Sequence, residues 1–152
     1  MSIPASAIGT RLAPVTLEVG RDRLRQFAKA TGDTDPVYVD VESARAAGHP
    51  DLPVPPTFLF AVELERPEPF GFLTDLGVDL RRVLHGEQSF TYHSPAYAGD
   101  TLTASSRITD VYSKKGGALE FIVKETTVTR PDGGTVAELV STMIVRNPES
   151  TG

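Results

Sequence analysis

The segment TGDTDPVY, residues 31–38, places two carboxylates, Asp33 and Asp35, in a proline turn that Tyr38 closes. A carboxylate beside a histidine makes an acid-base couple, because imidazole gains and loses a proton near neutral pH while the carboxylate complements it. Asp33 has no histidine within this segment. Tyr38 is a poor base, since a phenol titrates near pH ~10; it is better suited to packing or to donating one hydrogen bond. The chain holds three histidines, His49, His85 and His93. His85, in LHGEQ, is the foremost candidate for the missing group. Gly86 beside it would permit close approach of a ligand, and polar Glu87 and Gln88 interrupt an apolar strand. His93 precedes Ser94-Pro95 at a strand end, and His49 precedes Pro50 in a loop. The chain has no cysteine, which excludes disulfides and thiolate chemistry. The histidines lack the close pairing that metal sites use, so no metal is expected.

These residues need a scaffold, and the flanking sequence describes one. RLAPVTLEVG alternates as a short strand, and RDRLRQFAKATG puts Leu24, Phe27 and Ala28 on one helical face with Gly32 at a left-handed C-terminal position. Asp35-Pro36 forces a turn. Asp40 is placed to cap a second helix through VESARAA. In HPDLPVPPTFLFAVELE, Pro55-Pro56 suits a helix start, and the following run is apolar nearly all round, as a helix buried on most sides would be. Residues 66–80 read as a loop or flap with Phe70 and Phe72 folded back. From Val83 onward the pattern is four long strands in a meander, with turns at PAYAGD, KKGG and PDGG. In the last strand Val136, Leu139 and Met143 compete with Ala137, Val140 and Ile144 for the buried face, which requires a bulge or burial on both sides. The C-terminal NPESTG is expected to fray. The sum is an α+β domain in which an antiparallel sheet wraps a central helix. Its exposed edge calls for a partner, so a dimer with a continuous sheet is expected.

Composition narrows the function classes. The 152 residues suit a single domain, 1–152, with a core over about residues 10–146. A net charge of -5 and a pI near 5.2 argue against nucleic-acid binding. No run approaches the roughly 18 to 20 apolar residues of a membrane span, and the N-terminus lacks the pattern of a signal peptide. A cytoplasmic protein without a membrane role is expected. Arg81-Arg82 and Lys114-Lys115 are the only dense basic pairs, and they are conceivable contacts for a phosphate-bearing ligand.

FAKATGDTDPVYVDVESA resembles the signature of MaoC-like (R)-specific enoyl-thioester hydratases. Phe27, Gly32, Asp33, Pro36 and Ala44 fit it, whereas Asp35 stands where the family has Asn and Tyr38 where it has the histidine. PPTFLFAVELE with VLHGEQSFTYHSPAYAGDTL is similar to the N-terminal, fatty-acid-synthase-like dehydratase branch of that superfamily. The resemblance implies a hot-dog fold, a long central helix wrapped by a curved antiparallel sheet, paired as a homodimer or as a heterodimer with another hot-dog subunit. It implies acyl thioesters of coenzyme A or acyl carrier protein as ligands, and a hydration or dehydration that needs no cofactor. Amides at the start of the central helix would polarise the thioester carbonyl; Pro56 has no N–H, so Thr57 or Phe58 would have to donate. Asp33, His85 and Tyr38 are then the catalytic candidates, and Pro56, Thr57, Phe58, Gly86 and Gln88 the substrate-binding ones. Two expectations follow. The first is a hydratase or dehydratase of 3-hydroxyacyl and trans-2-enoyl thioesters with a substitute for the lost histidine. The alternative is a non-catalytic acyl-binding subunit that pairs with a chain carrying the intact Asp-His motif.

Overall fold

Glycine-bearing turns and long alternating segments fold the second half of the chain into four strands in the computed structural model, which describes residues 3–148. These are β2 (Val83–Tyr92), β3 (Thr101–Lys114), β4 (Leu119–Thr129) and β5 (Thr135–Arg146); β1 (Val15–Glu18) joins them in one antiparallel sheet of order β1-β3-β4-β5-β2. The expected meander holds for β3, β4 and β5 only, because β2 lies against β5 and not β3. The reason is in PAYAGD, which is a crossing and not a hairpin. Ala96 is buried, the Val54 amide donates to the Ala96 carbonyl at 2.8 Å and the Ala98 amide to the Leu52 carbonyl at 2.8 Å, so this stretch is laid across the loop before the central helix.

Among the described residues four α-helices pack within and beside the sheet: α1 (Arg21–Thr31), α2 (Val41–Ala46), α3 (Leu59–Glu63) and α4 (Gly71–Asp75). Helix α1 buries Leu24 and Ala28 and ends at Gly32, whose φ of 73° is the left-handed conformation that glycine adopts without strain. Asp40 caps α2, accepting from the Ser43 amide at 3.2 Å and the Ser43 hydroxyl at 2.6 Å. The central helix is shorter than the resemblance implied. A 3-10 turn over Pro56–Phe58 runs into α3, and the chain leaves the helix at Leu64 because Pro67 and Pro69 follow at once. Residues 66–80 are not wholly loop: α4 lies within them, with Phe72 and Leu73 buried, while Phe70 stays exposed. Among the described residues no helix is long and apolar enough to cross a membrane.

A helix this short has no stability of its own, so the core must hold it. Phe58, Leu59 and Val62 are buried with Leu24, Leu52, Leu102 and Leu139 in one cluster; Phe72, Leu73, Ile108, Ile122 and Met143 form a second. Each fully buried side chain of this size contributes about 1.5–3 kcal/mol. The competition along β5 is resolved by a bulge: pairing with β4 shifts between Val128 and Thr129, so Val136 and Ala137 are both buried and alternation then continues through Leu139, Ser141, Met143 and Val145.

A row of buried polar groups separates the two clusters. Along the inner face of β4 the order is Ile122, Lys124, Thr126, Val128, and on β3 Ser106 stands between Ala104 and Ile108. Glu63 reaches this row from α3. Its carboxylate lies 3.3 Å from the Lys124 ammonium and accepts from the Thr126 hydroxyl at 2.6 Å, and Thr126 shares a 2.8 Å hydrogen bond with Ser106. The Lys124 ammonium also lies 4.7 Å from the centre of the Phe72 ring. Burial pushes the Lys124 amine below its ordinary pKa, and Glu63 opposes that shift. Removing one member of such a pair leaves a buried charge without its partner. Glu63→Ala is therefore expected to lower stability by about 3–5 kcal/mol, read by urea denaturation, whereas Glu63→Leu with Lys124→Met should unfold at a midpoint close to that of the wild type.

Candidate functional site

The loop after α1 is organised by its own carboxylates. Asp33 accepts from the Asp35 amide at 3.0 Å, and Asp35 accepts from the Val37 amide at 3.1 Å, capping the 3-10 turn Pro36–Tyr38. Asp33 is exposed and Tyr38 half-buried. Burial raises the Tyr38 phenol above its ordinary pKa, and the charges of Asp33 and Asp35 raise it further. At neutral pH the phenol therefore remains protonated, able to donate a hydrogen bond but not to accept a proton as a base.

His85 occupies different ground. Pairing of β2 with β5 runs His85 to Met143 and then Glu87 to Thr142, with Gly86 left over as a bulge. In a regular strand, residues three apart point to opposite faces. The bulge cancels that alternation and turns His85 and Gln88 to the same inner side, where His85 Nε2 lies 3.1 Å from Gln88 Oε1. The same oxygen accepts from the Ser141 hydroxyl at 2.5 Å. An amide oxygen only accepts, so His85 donates through Nε2 in this contact, and Nδ1 takes no part in it. Gly86 is exposed, but the side on which a Cβ would stand is filled: it would meet the Ile144 side chain at 2.6 Å, so the glycine serves the bulge and the packing of Ile144.

His85 borders an apolar pocket of about 440 Å³ whose other walls include Phe60, Phe70, Leu73, Leu80 and Met143. Its ring lies 5.7 Å from that of Phe60, one helical turn beyond Thr57. At the helix start, the Phe58 amide already donates to the Pro55 carbonyl at 3.0 Å, and its side chain is buried against Phe27, so Phe58 is a core residue and not the expected donor. Thr57 is left to supply an amide, and it is exposed beside Pro56. The structure thus gathers Phe60, His85, Gln88 and Ser141 beside the pocket. Asp33 and Tyr38 form a second group, and among the described residues no hydrogen bond or ion pair joins the two. His49 lies 3.4 Å from the Tyr97 hydroxyl, and His93 lies 3.1 Å from Glu138. Among the described residues no group of three or more His, Asp and Glu side chains is arranged to hold a metal. Sequence reasoning missed Ser141, although a serine within the apolar run VSTMIV was the available signal, and it missed Phe60 and Met143 as pocket walls.

The family model described as FAS1-like, dehydratase domain region, matches residues 6–139. A UPF0336 protein of Clavibacter michiganensis is 41% identical over 132 residues, covering 87% of each chain, and one of Streptomyces coelicolor is 42% identical over 117 residues, covering 76% of this chain and 78% of its own. Among solved structures, the C-terminally truncated HadBC (3R-hydroxyacyl-ACP dehydratase) complex from Mycobacterium tuberculosis is similar with a TM-score of 0.75 and 28% identity, over 90% of this chain and 96% of that one. The ChsH1-ChsH2 complex from the same organism gives a TM-score of 0.75 and 26% identity, over 97% and 89%.

The bulge makes a direct prediction. Gly86→Ala is expected to destabilise the fold by about 1–3 kcal/mol through overcrowding. The same change in an Ile144→Ala background should cost much less, a coupling that a double-mutant cycle followed by denaturation reads out.

Proposed function

Because the chain belongs to the FAS1-like dehydratase-region family and has the MaoC-like hot-dog fold, we propose that it is the acyl-thioester-binding subunit of a two-chain 3-hydroxyacyl-thioester dehydratase. Its partner would be a second hot-dog chain that carries the complete Asp-His couple. Dehydration requires a group that takes the C2 proton and an acid that assists departure of the C3 hydroxyl as water. The observation that carries the proposal is Tyr38, which by the resemblance takes the place of the base and whose pKa is raised by burial and by Asp33 and Asp35. This chain supplies binding in place of chemistry. In this reading the Thr57 amide polarises the thioester carbonyl; the pocket beside Phe60 and His85 has a volume in the range of ligand sites, roughly 300–1,000 Å³. The edge strand β2 offers its free side to a second sheet, and two of the similar structures are two-component complexes. Coenzyme A and acyl carrier protein thioesters both fit this reading, with no cofactor and no nucleic acid, in a cytoplasmic heterodimer.

One observation favours catalysis by the chain alone, as a homodimeric hydratase: the His85 imidazole stands at the pocket, held through Nε2 by Gln88. Hydration of crotonyl-CoA and of a longer trans-2-enoyl-CoA, followed by loss of absorbance, separates the two. The purified chain should give no turnover until the partner is added. In the complex, His85→Ala and Asp33→Ala should act mainly on KM. Turnover by the chain alone, lost in His85→Ala, would sink the proposal in favour of the homodimeric enzyme.

A further inference from the structure

The two basic pairs, far apart in sequence, meet at one end of the sheet. Lys114 on β3 lies opposite Leu119 on β4, and Leu119 lies opposite Arg146 on β5. Val83 lies opposite Val145, which brings Arg82, the residue before β2, beside Arg146. With Arg81 and Lys115 this end collects five of the fifteen Lys and Arg residues of a chain whose net charge is -5. Asp79 offsets part of this charge, while among the described residues Lys114, Lys115 and Arg146 enter no salt bridge. Asp79 is bonded to Arg81 at 2.9 Å and lies 3.9 Å from Arg82; Glu120 is buried, accepting from the Ile3 amide at 2.7 Å and from the Asn147 side chain at 2.8 Å. Glu87 and Asp110 lie further along β2 and β3.

The next row on the same face is apolar. Tyr112 lies opposite Phe121, Phe121 opposite Ile144, and Ile144 opposite Leu84. Paired residues share a face, so a row of aromatic and aliphatic side chains runs beside the row of cations. Leu84 is 50% exposed and Tyr112 38%, and the Lys114 ammonium sits 5.1 Å from the Phe121 ring centre. Leu80 and Val83, next to the Arg81-Arg82 pair, also line the apolar pocket.

We propose that this sheet end docks the acidic carrier protein on which the acyl thioester arrives, an inference that rests on the thioester-binding reading above. Charge and width both argue for it. From β2 to β3 the row crosses four strands, about 14 Å at the usual strand spacing, which matches the face of a helix better than the phosphates of a coenzyme. An apolar row edged by cations complements an amphipathic helix whose polar side is acidic.

The test uses the assembled complex carrying Arg82→Glu, Lys114→Glu and Arg146→Glu, with Arg82→Gln, Lys114→Gln and Arg146→Gln as a milder set. Far-UV circular dichroism and thermal unfolding check that both remain folded. One acyl chain is presented on carrier protein and on coenzyme A. For the carrier-bound thioester, kcat/KM should fall about tenfold or more with reversal, fall less with neutralisation, and lose its dependence on salt. The coenzyme A thioester should change by less than about twofold under the same rim-charge argument. Equal losses for both thioesters, or none for the carrier-bound one, would overturn the docking surface. Failure of the wild-type complex to act on either thioester would overturn the thioester reading and the surface together.

Discussion

One wall of the apolar pocket, Phe60, stands on a helix too short to hold itself in place. The Glu63 carboxylate, against Lys124 and Thr126, is what fixes α3 on the sheet in rotation and along its axis. Apolar contacts from Phe58, Leu59 and Val62 supply most of the attraction, but such contacts are non-directional and tolerate small slides. A carboxylate shared between an ammonium and a hydroxyl does not. Since Phe60 rides on this short rod, the position of a pocket wall depends on an ion pair at the helix's end.

The pair belongs to a longer polar row. On the inner face of the sheet, Lys124 lies opposite Ser141, and Ser141 lies opposite Gln88, which holds His85. The row crosses from Ser106 on β3 to the edge strand, dividing the apolar interior in two. Each member is hydrogen-bonded or ion-paired, the condition under which a buried polar network specifies one arrangement without a net penalty. An imidazole at an exposed strand edge is thereby tied through Nε2 to groups rooted in the core.

Local chemistry was legible in the sequence where one residue decides the conformation. Gly32 ends α1, Asp40 caps α2 and the double proline starts the central helix because each acts through its own backbone or a neighbour's amide. The family was legible through the loop around Asp33, including the departure at Tyr38. Strand order was not, since PAYAGD carries the same residues whether it turns back or crosses, and only the burial of Ala96 against the loop at Leu52 and Val54 decides. The polar row was also hidden: Lys124, Ser141 and Glu63 lie far apart in sequence, and only the packing of α3 on the sheet brings them together. A second role of Gly86 was hidden for a related reason. A glycine beside a histidine suggests room for a ligand, whereas the need for glycine on its Cβ side comes from Ile144, a residue of another strand.

The bulge at Gly86 also bears on how another chain could join the sheet. β2 is an edge, and its free amides and carbonyls keep even spacing only from Glu87 to Tyr92 before the extra residue breaks it. A strand adding there can run an uninterrupted ladder over that stretch alone. Sliding along β2 would carry the joining strand onto the irregularity and forfeit hydrogen bonds, so the extra glycine works as an end stop, selecting one alignment from several that a smooth edge would accept.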